Sequence, residues 1–447
     1  MKRTPLRRFL VLAGALVLAG GSVSACSGSS DTLSYWMWDT NQVPAYQQCV
    51  DAFEQANPGI KVQISQYSWG DYWTKITAGM IAGTAPDVFV DHSAYYPFYV
   101  TQDQLVPLDD TVAEAGIDIK TQFGPGIIDN WHGQDGKLYG MPKDWDTVGM
   151  FYNSTMLKDA GFSDDELRQA TWNPTDGGTF GKILAHLSID ANGKRGDEPG
   201  FDSKKVKVYG MATDGTGGTN GQNFWGPFAA ALGFQLNDKN PWGTAYNYAD
   251  PRFLQTEQWL RDMEDKGYIP SPGTFSISAD QQLTSGSAAM ESQGSWSASS
   301  LIGTKGVSLK IAPTPAGPTG KSVTMRGGVA DSIWAGSKNI PAAKKLVLYL
   351  GSAACQDVVG AAAVVFPAIP SGTEAAIKAF GDKGIDVTAF TDHMKNGTFV
   401  PTPVTEYGTT IDSRTDPVMQ AFFLHQAETK DLAALQDSIG QIFRRGY

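Results

Sequence analysis

The sequence predicts an α/β fold of two lobes, each a doubly wound sheet flanked by helices, with a polar cleft at the junction. Three observations carry this reading. Residues 33–90 alternate strand, helix, strand, helix, strand, which is the doubly wound pattern. The chain has 447 residues, a length that suits two large lobes better than one core. Residues 136–153, Gly-Lys-Leu-Tyr-Gly-Met-Pro-Lys-Asp-Trp-Asp-Thr-Val-Gly-Met-Phe-Tyr-Asn, read as two extended apolar segments with a polar interruption. The interruption is Lys143, Asp144, Trp145 and Asp146. Charged groups inside a buried sheet need partners, so this segment is expected to line a cleft.

The chain starts with an export signal. Lys2, Arg3, Arg7 and Arg8 precede an apolar run from Phe9 to Ala19, and Val-Ser-Ala-Cys ends it at Cys26. The run is too short to span a bilayer, and no later stretch holds about 18 consecutive apolar residues. The residues before Cys26 resemble a lipobox. That implies cleavage after residue 25, lipidation of Cys26, and a tether over residues 26–31. Several acyl chains anchor stably where one is marginal. The expected location is the outer face of the cell membrane.

The formal charge of the whole chain is −11; residues 1–25 hold four bases and no acid, so residues 26–447 carry −15. An acidic surface excludes nucleic acid as a partner and argues against steering of anionic ligands. Beyond Cys26 the cysteines are Cys49 and Cys355. An even pair in an exported protein suggests one disulfide, the alternative being two buried free thiols. Twelve Trp and sixteen Tyr exceed what a core of this size needs and invite an aromatic-lined cleft.

In chain order, Leu33 to Trp38 reads as a strand, Pro44 to Ala56 as a helix stopped by Asn57-Pro58-Gly59, and Ile60 to Gln66 as a second strand. Asp71 to Ala82 is a helix closed by Gly83, and Pro86 to Val90 a third strand. Ligands are expected beyond the carboxyl ends of such strands. Those ends carry Trp38, Asp39, Asn41 and Gln42, then His92, Ser93 and Tyr95. Further on come helices over 154–160 and 180–190 and a hairpin turn at Asn192-Gly193. Asp190-Ala-Asn-Gly matches half of a calcium loop without its complete spacing. The glycine-rich loop 215–221 lacks the dinucleotide fingerprint. Asn220, Gln222, Asn223 and Trp225 follow at a helix start, a set that suits a neutral polar ligand. Asp250 to Lys266 is an amphipathic helix, and 278–285 leads to Ala288-Ala-Met-Glu-Ser-Gln-Gly-Ser-Trp296. Helices over 341–351 and 352–359 follow; 364–368 is expected to cross between lobes, and the remainder to be helical and to close the second lobe.

Several of these segments resemble the solute-binding proteins of ABC sugar importers, the maltose-binding-protein-like cluster. The matching pieces are 136–153, Phe53 to Val62, Thr84 to Asp87, Ala288 to Trp296, Met325 to Val329 and Ala343 to Ser352. The resemblance covers nearly all of the mature chain. It implies a two-lobed periplasmic-binding-protein-like fold joined by crossing hinge segments. Lobe 1 would be 32–146 plus 326–366, and lobe 2 would be 147–325 plus 367–447. It implies a neutral sugar, an oligosaccharide by expectation, held in the cleft and handed to the transmembrane subunits of a permease by a monomer without cofactor or metal. Trp296, Trp145 and Trp225 are the implied stacking residues. Asp146, Asp144, Lys143, Asn223, Asp39, Arg326 and Asp331 are the polar partners near the cleft. The helix of Cys355 would return to the lobe of Cys49, which would let the two pair.

A secreted glycosidase is a rival. Asp144 and Asp146 would lie about 6.6 Å apart in an extended chain, inside the roughly 5 to 9.5 Å window of paired glycosidase carboxylates. Against it, there is no Gly-x-Ser-x-Gly elbow and no His-Glu-x-x-His pair, and the five His are scattered. A scaffold lipoprotein with a blind cleft is the third reading.

Overall fold

The computed structural model describes residues 31–445. The export signal, Cys26 and the tether up to residue 30 lie outside the described residues. Eleven strands occur among the described residues: β1 Asp31–Met37, β2 Ile60–Gln66, β3 Val88–His92, β4 Met141–Asn153, β5 Ile189–Asp190, β6 Val206–Ala212, β7 Ala288–Gly294, β8 Leu309–Ala312, β9 Thr324–Ile333, β10 Phe366–Pro367 and β11 Phe399–Pro401.

The fold is two-lobed. In the first lobe the strand order is β2-β1-β3-β9-β4, with β1 parallel to β2 and β3, and β9 antiparallel to both β3 and β4. The second lobe continues from β4 through β7 and β6 to β5, with β8 also on β4. The helices Val43–Ala56 and Trp69–Ala82 make the crossovers between the first three strands. Gly83 ends the second of them in the left-handed conformation.

β4 organises the molecule. Met141 to Thr147 pairs with β9 in the first lobe, and Val148 to Asn153 pairs with β7 and β8 in the second. The two extended segments and the polar residues 143–146 between them are continuous: all thirteen residues form one strand and all are buried. The backbone satisfies its polar groups on both edges, so the charged side chains need no loop to carry them. The irregularity is confined to a register shift between Pro142 and Asp144.

Each lobe has its own core. Leu33, Tyr35, Val88, Phe89 and Leu346 belong to the first; Met150, Phe180, Met211, Phe253 and Leu435 belong to the second. A disulfide joins Cys49 to Cys355, with Cα atoms 5.1 Å apart. It ties Val43–Ala56 to the helix Ala353–Ala361 inside the first lobe.

The last part of the chain departs from the expected boundary. The helix Pro370–Asp382 belongs with the first lobe, because Ala376 and Phe380 are fully buried in that core and Phe380 meets Phe366 at 5.5 Å. β10 crosses beside β4, pairing Phe366 with Trp145. β11 then runs parallel to the start of β9, a crossing that short, half-buried Phe-Val-Pro did not signal. The helices Gly408–Phe423 and Thr429–Arg445 close the second lobe. At 190–194 the chain makes a tight turn, with the Asp190 carboxylate accepting from the N–H groups of Asn192, Lys194 and Asp202.

Candidate functional site

A cleft of about 730 Å³ lies between the lobes, floored by β4 and β9. Its first wall is aromatic. β1 and β3 end there, delivering Trp38 and His92. The rings of Trp38 and Trp69 meet at 5.0 Å, and Trp69 and Trp73 at 5.3 Å. Tyr95 lies flat on Trp73 with centroids 3.8 Å apart. Trp69 is 46% exposed, a large apolar area turned into the opening at the start of its helix. The His92 imidazole sits among these indoles, and loss of water lowers its pKa to about 4; its Nδ1 accepts from the Ala94 N–H, so it is a neutral ring.

The floor is charged. Asp146 accepts from the Gly327 N–H at 3.1 Å and from the Gln222 amide at 2.9 Å. Burial, and then the neighbouring Asp144, raises its pKa to about 7. Asp144 is likewise raised to about 7 by burial, against the opposing pull of Lys143. Its Oδ2 has no hydrogen-bond partner among the described residues, and the Lys143 ammonium is 3.8 Å away. Lys143 turns inward: it is 1% exposed, touches the Gln42 amide oxygen and sits 3.7 Å above the Tyr46 ring. Gln42 in turn donates to Asp39 at 2.9 Å. Trp145 presents little of itself, being stacked on Phe366 at 4.6 Å with its N–H on Thr373.

The second lobe brings amides and one exposed indole face. Asn223 donates to Gln293, while the side-chain oxygens of Asn220 and Asn223 are buried and unpaired. Trp296 is half-buried at the cleft, folded back over Gly294; a Cβ on that glycine would sit 2.1 Å from the ring. Gly-Ser-Trp is therefore a spatial requirement: only a glycine leaves room for the indole to lie across the backbone.

Five expected cleft residues stand elsewhere. Trp225 is 1% exposed in the second core, 5.0 Å from Phe253, with its N–H on the Gly218 carbonyl. Its helix, Trp225–Ala231, is apolar throughout and wholly buried, so its first residue is drawn inward. Arg326 is on the face of β9 opposite Val329; it lies over Phe399 and donates to the carbonyls of Pro125 and Gly126. Asp331 is two residues beyond Val329, about 7 Å further into the lobe, where it accepts from the Tyr35 hydroxyl at 2.7 Å. Ser93 is buried against Thr402. Asn41 is exposed, its N–H on Asp39, and does not line the cleft.

A model of one family, described as bacterial extracellular solute-binding protein, matches residues 48–382. The chain belongs to that family. This solute-binding protein is 26% identical over 412 residues to the maltooligosaccharide ABC transporter solute-binding lipoprotein of Streptococcus pneumoniae, covering 89% of this chain and 86% of that one. It is 26% identical over 265 residues to the arabinooligosaccharide-binding protein of Bacillus subtilis, 58% of this chain and 54% of the relative. Its fold is similar to that of an ABC substrate-binding protein of Listeria monocytogenes solved with cycloalternan, with a TM-score of 0.78, 18% identity, and coverage of 93% of this chain and 99% of that one.

The cleft of this solute-binding protein also contains residues that sequence reasoning did not select: Trp69, Asp214, Ser295, Asp412 and Asp416. A signal for the last two exists. They are one helical turn apart, with Ile411, Thr415 and Met419 facing the core. Trp69 had no comparable signal, since Ser-Trp-Gly at a helix start reads equally well as surface.

Proposed function

We propose that this protein is the substrate-binding subunit of an ABC importer and captures an oligosaccharide between its lobes. The observation that carries the reading is the pairing of aromatic faces with unpaired acceptors across one cleft. Trp38, Trp69 and Trp296 offer surfaces for the C–H faces of sugar rings. Among the described residues, Asp144 Oδ2 and the amide oxygens of Asn220 and Asn223 are buried acceptors without donors, and sugar hydroxyls are donors. A cleft of this volume accommodates more than one ring. The names of the relatives, one a maltooligosaccharide and one an arabinooligosaccharide binder, support the same class.

The protein binds its sugar without turning it over. Asp146 has one oxygen occupied by Gly327 and Gln222, Asp144 lies beside Lys143, and the named relatives are binding proteins, which supports binding without turnover. Closure of the lobes about β4, β9, β10 and β11 would bury the sugar and present a closed form to the permease subunits. Lipidation of Cys26 holds a monomer at the outer face of the membrane. Among the described residues no helix is long and apolar enough to cross a membrane.

Calorimetric titration with mono- to tetrasaccharides is the test, with reducing-sugar release measured on the same samples. Saturable binding without product is expected. Product release would make it a glycosidase; a flat titration with every sugar would leave a scaffold. Mass spectrometry of the membrane fraction should find an acylated Cys26 at the N-terminus.

A further inference from the structure

The cleft is far more acidic than a neutral sugar needs. Asp39, Asp144, Asp146, Asp214, Asp412 and Asp416 line it, and Lys143 is the one cationic side chain among the described lining residues, His92 being neutral. Two of these carboxylates stand out. Asp412 and Asp416 are i and i+4 on the helix Gly408–Phe423, so they sit on one face, and like charges so placed destabilise a helix. Among the described residues no ion pair offsets either, and burial raises the pKa of both, with Asp416 adding to the rise at Asp412.

They line the same cleft as Tyr95 and Trp69 of the opposite lobe. Burial, and then the charges of Asp412 and Asp416, raises the Tyr95 phenol pKa to about 12. Tyr95 is held flat on Trp73, with Trp69 6.2 Å from it. Carboxylates on one side and aromatic rings on the other make the environment that selects an ammonium group: the ring quadrupole and the anions attract the same charge. Asp144 points to a ligand independently, since it is 5% exposed, lines the same cleft and has an oxygen that, 3.8 Å from the Lys143 ammonium, has no hydrogen-bond donor among the described residues.

Building on the oligosaccharide reading above, we infer that the bound sugar carries a protonated amine, held between Tyr95 and the Asp412–Asp416 pair. The substrate class is thus an amino-sugar oligosaccharide, in place of the neutral sugar expected from the sequence. The amine bridges the two lobes, so it also favours the closed form.

The test uses three β-1,4 trisaccharides that differ at C2: the glucosamine trisaccharide, its fully N-acetylated form and cellotriose, titrated by calorimetry at low and high salt. The amine form should bind about tenfold or more tighter than cellotriose at low salt, with the advantage shrinking as salt screens it. In the double variant Asp412→Asn/Asp416→Asn, the ratio of the two affinities should fall toward one. A melting curve checks that the variant folds. Should it not fold, Asp416→Asn alone, at an exposed position, reads the same ratio. Cellotriose or the acetylated form binding as tightly as the amine form overturns the inference and leaves the oligosaccharide reading standing. Binding of none of these, or of any sugar in the wider series, overturns both.

Discussion

Gln222 donates its side-chain amide to the Asp146 carboxylate at 2.9 Å, joining the glycine-rich loop of the second lobe to the crossing strand β4. The contact places the loop's neighbours, Asn220 and Asn223, over the cleft floor. Gly221 makes the approach possible: its φ is +61°, and a Cβ there would meet the Trp225 ring at 2.2 Å. Gln222→Ala should weaken oligosaccharide binding by about 1–3 kcal/mol, as a buried carboxylate loses a donor. Calorimetry measures it; unchanged affinity would mean that the loop is held by other means.

Trp296 and Trp225 should respond in opposite ways to the same substitution. Trp296→Ala is expected to cost about 1–3 kcal/mol of binding with little change in melting, because the ring is half-buried at the cleft. Trp225→Ala should cost about 3–5 kcal/mol of stability, because its ring is core. Denaturant unfolding and titration on both proteins separate the two. Gly294→Ala should mimic Trp296→Ala in binding, since a methyl there displaces the indole.

The carboxylates of the floor make the ligand-free protein more stable in mild acid than in mild base. Asp144 and Asp146 are each raised to about 7 by burial, while in the unfolded chain an Asp ionises near 3.9. Between those values the native state holds more protons than the unfolded one, so stability falls as pH rises. The contribution is complete below about pH 4 and lost as pH passes about 7. Scanning calorimetry should give a higher Tm at pH 5 than at pH 8, and Asp146→Asn should narrow the difference. A Tm that climbs from pH 5 to pH 8 would contradict the burial of these groups.

The Cys49–Cys355 bridge closes a loop of 306 residues. Cross-linking so long a loop contributes up to about 6 kcal/mol in the chain-entropy model. Cys49→Ser with Cys355→Ser should therefore lower the denaturant midpoint clearly without changing sugar affinity, since the pair lies in the first core, away from the cleft.

Much was legible in the amino-acid order. Strand–helix alternation over 33–90 marked the first lobe because apolar periodicity is local: β2 matches its expected bounds, and β1, β3 and the two helices deviate by two residues or fewer. The ends of β1 and β3 do reach the cleft, as the doubly wound pattern requires. Lys143, Asp144 and Asp146 were conspicuous because buried charge is costly unless it serves something. Tertiary structure alone decided the rest. Which face of β9 meets the cleft depends on register, and one residue of parity separates Val329 at the floor from Arg326 behind it. Trp225 and Trp69 are both indoles at helix starts; one is swallowed by a helix apolar on every side, while the other opens onto the cleft. Asp412 and Asp416 share a cleft with Tyr95 from more than 300 residues away in the chain. Local sequence sets each element's own periodicity, but contact between the lobes is set by how β4, β9, β10 and β11 cross, and no short stretch of chain encodes that crossing.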